Sequence, residues 1–226
     1  MLQNIFPRLL LALCLAVAGH VHAAALTDND LMDCSVLTGK KKKQQYNAFI
    51  TQLTQAASKG DINSNLNLAG ILNNRFVCLE EEQLGDQPWT VVIEQPGSHE
   101  VETTHRPVLK NLKQYPAVYA ALLDAIAAYQ RISESNLNAR MALGNYYAEY
   151  HDTLNKNVDG YFYLASVYEA ECNSTAQDRA KSKQRCMLLK QDKMLYLPLL
   201  DATQRALLDQ KAKDWAAKYL AKTVAQ

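Results

Sequence analysis

The chain has almost no surplus charge of either sign: 24 Lys and Arg stand against 23 Asp and Glu, a formal net charge of +1. Nothing in that balance steers it towards nucleic acid or an anionic membrane. It also lacks an apolar run long enough to cross a hydrocarbon core of roughly 30 Å, since the longest runs only from Leu9 to Ala18. The common signatures of chemistry are missing as well. There is no H-E-x-x-H, no G-x-S-x-G elbow and no Gly-rich phosphate loop. No two cysteines lie two to four apart and no histidine stands near them at ligand spacing, which argues against a zinc site. No cofactor is implied. No Gly/Ser-rich or low-complexity stretch divides the chain after its N-terminal segment, so residues 24–226 read as one domain.

The N-terminal segment, MLQNIFPRLLLALCLAVAGHVHAAA, has one Arg, a short apolar run and spaced small residues. It reads as a Sec-type signal peptide spanning residues 1–23, and cleavage after Ala23 or after Ala25 fits equally. Leu13 before Cys14 argues against a lipidation site. Removal takes away Arg8 and no acid, leaving 24 − 1 = 23 basic and 23 acidic residues. The expected product is exported, with no membrane insertion of its own. Of five cysteines, Cys14 leaves with the signal, and an even number in an exported chain favours disulfides. Three pairings of Cys34, Cys78, Cys172 and Cys186 are possible. Cys34–Cys78 with Cys172–Cys186 is favoured, because each pair brackets a local helical hairpin.

Apolar and small residues from Lys41 to Ala57 recur at three and four, the period of an amphipathic helix. Gly60 suits the left-handed position that ends it, and Asp61 or Asn63 suits the cap of the next helix, which carries Leu66, Leu68, Ala69, Leu72 and Phe76. Glu80-Glu81-Glu82 reads as a solvated turn. Residues 85–107 break the pattern: Trp89 to Glu94 is β-branched, Pro96-Gly97 is a turn dipeptide and His99 to Thr104 alternates. A β-hairpin inserted in a helical chain is expected there. A helix resumes at Pro116 with Tyr119, Leu122, Leu123, Ile126 and Tyr129 on its apolar face. Further helices are expected at 135–150 and 158–172, and a last one opens with the capping pair Asp201 and Gln204.

One helix face is written twice. Ser64, Leu68, Ala69 and Leu72 match Ala139, Leu143, Gly144 and Tyr147 in spacing. Small residues at two positions let a helix be packed closely on two sides, as a stacked array requires. The matches lie 139 − 64 = 75 residues apart, room for two units and therefore for an unmatched middle one. "AASKGDINSNLNLAGIL" (56–72) and "NARMALGNYYAEYHDTLNKNVDGYFYLASVYEAEC" (138–172) resemble Sel1-like repeats, relatives of the tetratricopeptide repeats, and "LDATQRALLDQKAKDWAAKY" (200–219) resembles the helix that closes such arrays. The resemblance implies an all-α array of short helical hairpins, departing from the family pattern at Ser64 and Gly160. It also implies a non-catalytic adaptor or localising factor of a cell-envelope assembly such as a secretion system, in the periplasm.

Candidate partner-binding residues are the tyrosines Tyr146, Tyr150 and Tyr161, together with Trp89 and His99 in the excursion; aromatic residues of this kind give large contact area with a polar tip. The partner expected is another envelope protein or complex, with no nucleic acid. A periplasmic immunity protein that neutralises a toxin is a second reading. A third follows from cysteine-rich Sel1-like proteins that bind or hydrolyse β-lactams or act on peptidoglycan, but those carry a cysteine pair in each repeat, and neither matched helix here does. His151-Asp152 is better read as a solvated helix end than as a base and its orienter.

Overall fold

The computed structural model describes residues 34–37, 40–87, 90–94, 101–105, 107–173 and 179–224. The chain divides into two compact units, Met1–Phe49 and Ile50–Gln226. The described part of the first holds a 3₁₀ turn, Cys34–Leu37, and the opening of helix α1 (Lys40–Ser58). The second holds the rest of α1 and then, in order, α2 (Ile62–Leu84), β1 (Thr90–Glu94), β2 (Val101–His105), α3 (Pro116–Ile132), α4 (Leu137–Glu149), a single turn α5 (His151–Leu154), α6 (Asn157–Cys172), α7 (Arg179–Met194) and α8 (Ala202–Val224). The fold is predominantly helical. No helix among the described residues is long and apolar enough to cross a membrane.

The helix ends follow the local chemistry. Gly60 takes φ +87° after α1, where a side chain would be strained. Asp61 caps α2 by accepting from the Ser64 amide at 2.9 Å, and Asn136 caps α4 by accepting from Ala139 at the same distance. At α8 the capping box closes in both directions: the Gln204 amide donates to Asp201 and the Asp201 amide donates to the Gln204 side chain. Pro116 opens α3 at a position that needs no N–H.

Helices α2 and α3 pack together, α3 against α4, α4 against α6, and α6 against both α7 and α8. Two core layers result. The first is alanine-rich, with Ala57, Leu68, Ala69, Leu72, Ala125, Ala128, Ile132 and Ala139 drawn from α1 to α4. The second is aromatic and leucine-rich and runs from Phe76 to Ala212. Leu68, Leu122, Leu143 and Leu164 are fully buried, each contributing roughly 1.5–3 kcal/mol of transfer free energy.

Both written faces are inward: Leu68, Ala69 and Leu72 on α2, and Ala139, Leu143, Gly144 and Tyr147 on α4. Gly144 and Gly160 face one another across α4 and α6. A methyl group on Gly144 would overlap Leu164, and one on Gly160 would overlap the Tyr196 hydroxyl and approach Tyr147 Cβ to 2.8 Å. The Tyr196 hydroxyl fills that gap and donates to the Gly144 carbonyl at 2.6 Å.

Two expectations need correction. The interval between the matched helices holds no middle hairpin among the described residues. It holds one helix, α3, and a connection whose strands pair antiparallel from Thr90↔His105 to Glu94↔Val101. The apolar face of α3 is also rotated. Ala121, Ala125 and Ala128 are buried while Leu123 is 42 % exposed, because close approach to α2 admits alanine and turns the larger leucine outward.

Candidate interaction site

The rotated face of α3 creates a groove. Tyr119, Leu123, Ile126, Ala127 and Gln130 from α3, Tyr147 from α4, Leu154 from α5 and Lys156 enclose about 310 Å³. Gln130 donates to the Tyr147 hydroxyl at 3.0 Å. Burial pushes that phenol up to about 12, so it is neutral and can still donate at physiological pH. The Lys156 ammonium stands 3.5 Å from Asp159 at one end. The lining thus combines aliphatic side chains with a few polar groups. A second recess, about 340 Å³, adjoins it between Asn155–Asp159 and the Leu199–Gln204 segment. Within it the Asn157 Oδ1 atom is buried without a hydrogen-bond partner.

The tyrosines proposed as a docking surface are not on the surface. Tyr146, Tyr150 and Tyr161 retain 7 %, 3 % and 3 % of their exposure. Phe76 meets the rings of Tyr146 and Tyr150 edge-on, at 5.9 and 5.6 Å between centroids. The Tyr146 hydroxyl donates to the Asn73 side chain, and Tyr161 donates to Asp209 at 2.9 Å. Alanine-sized neighbours leave large gaps between helices, and these rings fill them. Trp89 and His99 lie outside the described residues.

Glu80 also departs from the solvated turn expected of it. It is fully buried, and its Oε1 accepts from the Tyr150 hydroxyl at 2.8 Å and from the Leu109 amide at 3.1 Å. One carboxylate oxygen thus joins α2, α4 and the segment that returns from the β excursion. His151 and Asp152, read as a solvated helix end, are in contact: Nε2 lies 3.1 Å from Asp152 while Nδ1 lies 3.0 Å from the Ala148 carbonyl. Both ring nitrogens are therefore engaged locally.

Arg140, which no sequence motif marks, is a further buried polar centre. This side chain is fully buried and donates to the Ser133 carbonyl at 2.9 Å, to Ser166 Oγ at 2.6 Å and to Glu134 at 2.8 Å. Its guanidinium lies 3.6 Å from the centre of the Trp215 ring, and Trp215 donates to the other Glu134 oxygen at 3.0 Å. Burial lowers the guanidinium's affinity for its proton and Glu134 opposes that. The group ties α4 and α6 to the terminal helix. Its only sequence signal is an arginine beside Ala139, on a stripe otherwise made of small and apolar residues.

Cys172 and Cys186 are bonded, joining α6 to α7, and both members of the other expected pair, Cys34 and Cys78, are disulfide-bonded too. No cluster of three His, Cys, Asp or Glu side chains among the described residues is placed to hold a metal ion.

The described residues thus form a predominantly helical fold packed in part through alanine and glycine. The chain matches no protein-family model, no curated protein and no solved structure. Its likeness to Sel1-like repeats accordingly rests on the residue pattern.

Proposed function

We propose that the chain is a non-catalytic interaction module of an exported compartment, the periplasm of a bacterium, where it acts as an adaptor or localising factor within a cell-envelope assembly such as a secretion system. On this reading α2–α3 and α4–α6 are two Sel1-like hairpins, and the paired strands at 90–105 are an insertion in the first. The supporting observation is the groove between α3, α4 and α5, whose lining includes exposed Leu123 and the hydrogen-bonded pair Gln130 and Tyr147. Its occupant is an extended segment of a partner protein that presents apolar side chains to Leu123, Ile126 and Leu154 and a carbonyl to the Tyr147 phenol. Disulfides at all four described cysteines are compatible with an oxidising, exported location.

The test is a cross-linked pull-down of the tagged protein from its native envelope, compared with a Leu123→Asp variant. Leu123 is exposed, so the substitution leaves the core intact while placing a charge in the groove. Loss of a defined complex by the variant, with unchanged thermal melting, supports the reading. Retention of that complex rejects the groove as its site. Tyr146→Ala and Tyr150→Ala are unsuited to this purpose because they open cavities against Phe76.

A further inference from the structure

Helix α7 reads RAKSKQRCMLLKQDKM, six basic residues and one acid within 16. The near-neutral whole chain thus conceals a local surplus of five positive charges. One side of the helix is committed to the fold through buried Leu189 and the bond from Cys186. The opposite side is bare: Met187, Leu188 and Met194, with Leu195 in the turn directly after the helix, are each 51–58 % exposed. Positions 187, 188, 191 and 194 fall on one stripe at helical spacing, and Leu195 follows directly after it. A single exposed leucine needs no explanation, but four large exposed apolar side chains within nine residues do.

The charges around the stripe indicate its partner. Arg185 is paired with Glu171 at 2.9 Å, and Lys193 with Asp209 at 3.0 Å. Lys190 is exposed beside the stripe, and the helix as a whole carries six basic residues against one acid. An apolar stripe bordered by cations is the pattern with which helices lie in the headgroup region of an anionic bilayer. A sheet of phosphates meets long basic side chains without requiring a matched register. Because α7 is already held on α6 by the disulfide and the Arg185–Glu171 pair, docking requires little further ordering.

We propose that α7 seats the protein on an anionic phospholipid surface, with Met187, Leu188, Met194 and Leu195 in the headgroup–acyl boundary and Lys190 against phosphate. The test is co-sedimentation of the exported chain with vesicles of phosphatidylglycerol mixed with phosphatidylcholine, and with phosphatidylcholine alone. Three proteins are compared: wild type, Leu188→Glu with Leu195→Glu, and Lys190→Gln. Each begins at residue 24, as the exported chain is read to do, so the N-terminal apolar segment contributes to none of them. Expected are binding that requires the anionic lipid and weakens with salt, at least about tenfold loss in the double glutamate variant, and about fivefold loss in Lys190→Gln, with unchanged thermal melting. Equal binding by the variants, or equal binding to neutral vesicles, overturns the proposal. So does wild type that self-associates without lipid and becomes monomeric in the double variant, which would make the stripe an interface between copies. An acidic protein partner lost by the double variant, with vesicles left unbound by wild type, overturns it as well.

Discussion

Replacing Arg140 with methionine removes the charge while keeping much of the side chain's volume, so it separates what the guanidinium's bonds contribute from what its burial costs. Two of its acceptors, the Ser133 carbonyl and Ser166 Oγ, belong to buried residues, and a hydrogen bond from a charged donor to each contributes about 1.5–3 kcal/mol. The pair with Glu134 adds at most about 1 kcal/mol, because that carboxylate is 77 % exposed. Stacking over Trp215 adds about 1–2 kcal/mol. Against these stands the return of a desolvated cation to water, worth several kcal/mol. The bonds are expected to win by about 2 kcal/mol, because methionine leaves buried acceptors without a donor. In urea, with a slope of about 2 kcal/mol per molar, the unfolding midpoint followed by circular dichroism should fall by about 1 M. Arg140→Lys should fare no better, since one ammonium cannot reach acceptors on three sides. A methionine variant as stable as wild type, or more stable, would refute the claim that this residue holds α8 in place.

Gly160→Ala should destabilise by about 1–3 kcal/mol despite alanine's higher helix propensity, because its methyl overlaps the Tyr196 hydroxyl; in a thermal-melting cycle Tyr196→Phe should relieve part of that loss, though not the approach to Tyr147. Stability should also fall in alkali. Tyr147 is pushed up to about 12 by burial, and burial raises Tyr161 and Tyr196 in the same direction, whereas the unfolded chain's phenols ionise near pH 10. The fold therefore holds these protons more tightly than the unfolded chain does. The stability they contribute is complete below about pH 10 and declines as pH rises towards 12. Urea titrations at stepped pH should show the decline beginning near 10, and a flat profile across that window would show that these phenols are not buried.

Much of the scaffold was legible because it is written in local chemistry. Gly60, Asp61, Pro116 and the Asp201–Gln204 box each act within a few residues, and each does what its position implies. The repeated small-residue face was legible for the same reason, as a periodicity along one helix. What escaped depends on partners distant in sequence. Glu80 is held in the core by Tyr150 and Leu109, which arrive from 70 and 29 residues away. Arg140 is buried only because α6 and α8 close over it. The tyrosines were assigned to the surface because a phenol suits both an interface and a gap between alanines, and composition does not distinguish the two. The groove was hidden because the rotation of α3 follows from the size of its alanines rather than from the position of its leucines.

The Glu80 clamp also bears on how this molecule can change over time. A contact 29 residues apart pins the return of the chain from the β excursion to the body of the fold at Leu109. Upstream of that pin, the length of the excursion hardly enters the free energy, since doubling a loop costs only about 0.6 kcal/mol in closure entropy. Insertions and deletions between residues 88 and 106 should therefore accumulate freely among descendants of this sequence, while Glu80 and Tyr150 stay fixed together and position 109 excludes proline, which has no amide to donate. The excursion is the part of the chain most open to evolutionary trial, and the clamp shields the helices from its outcome.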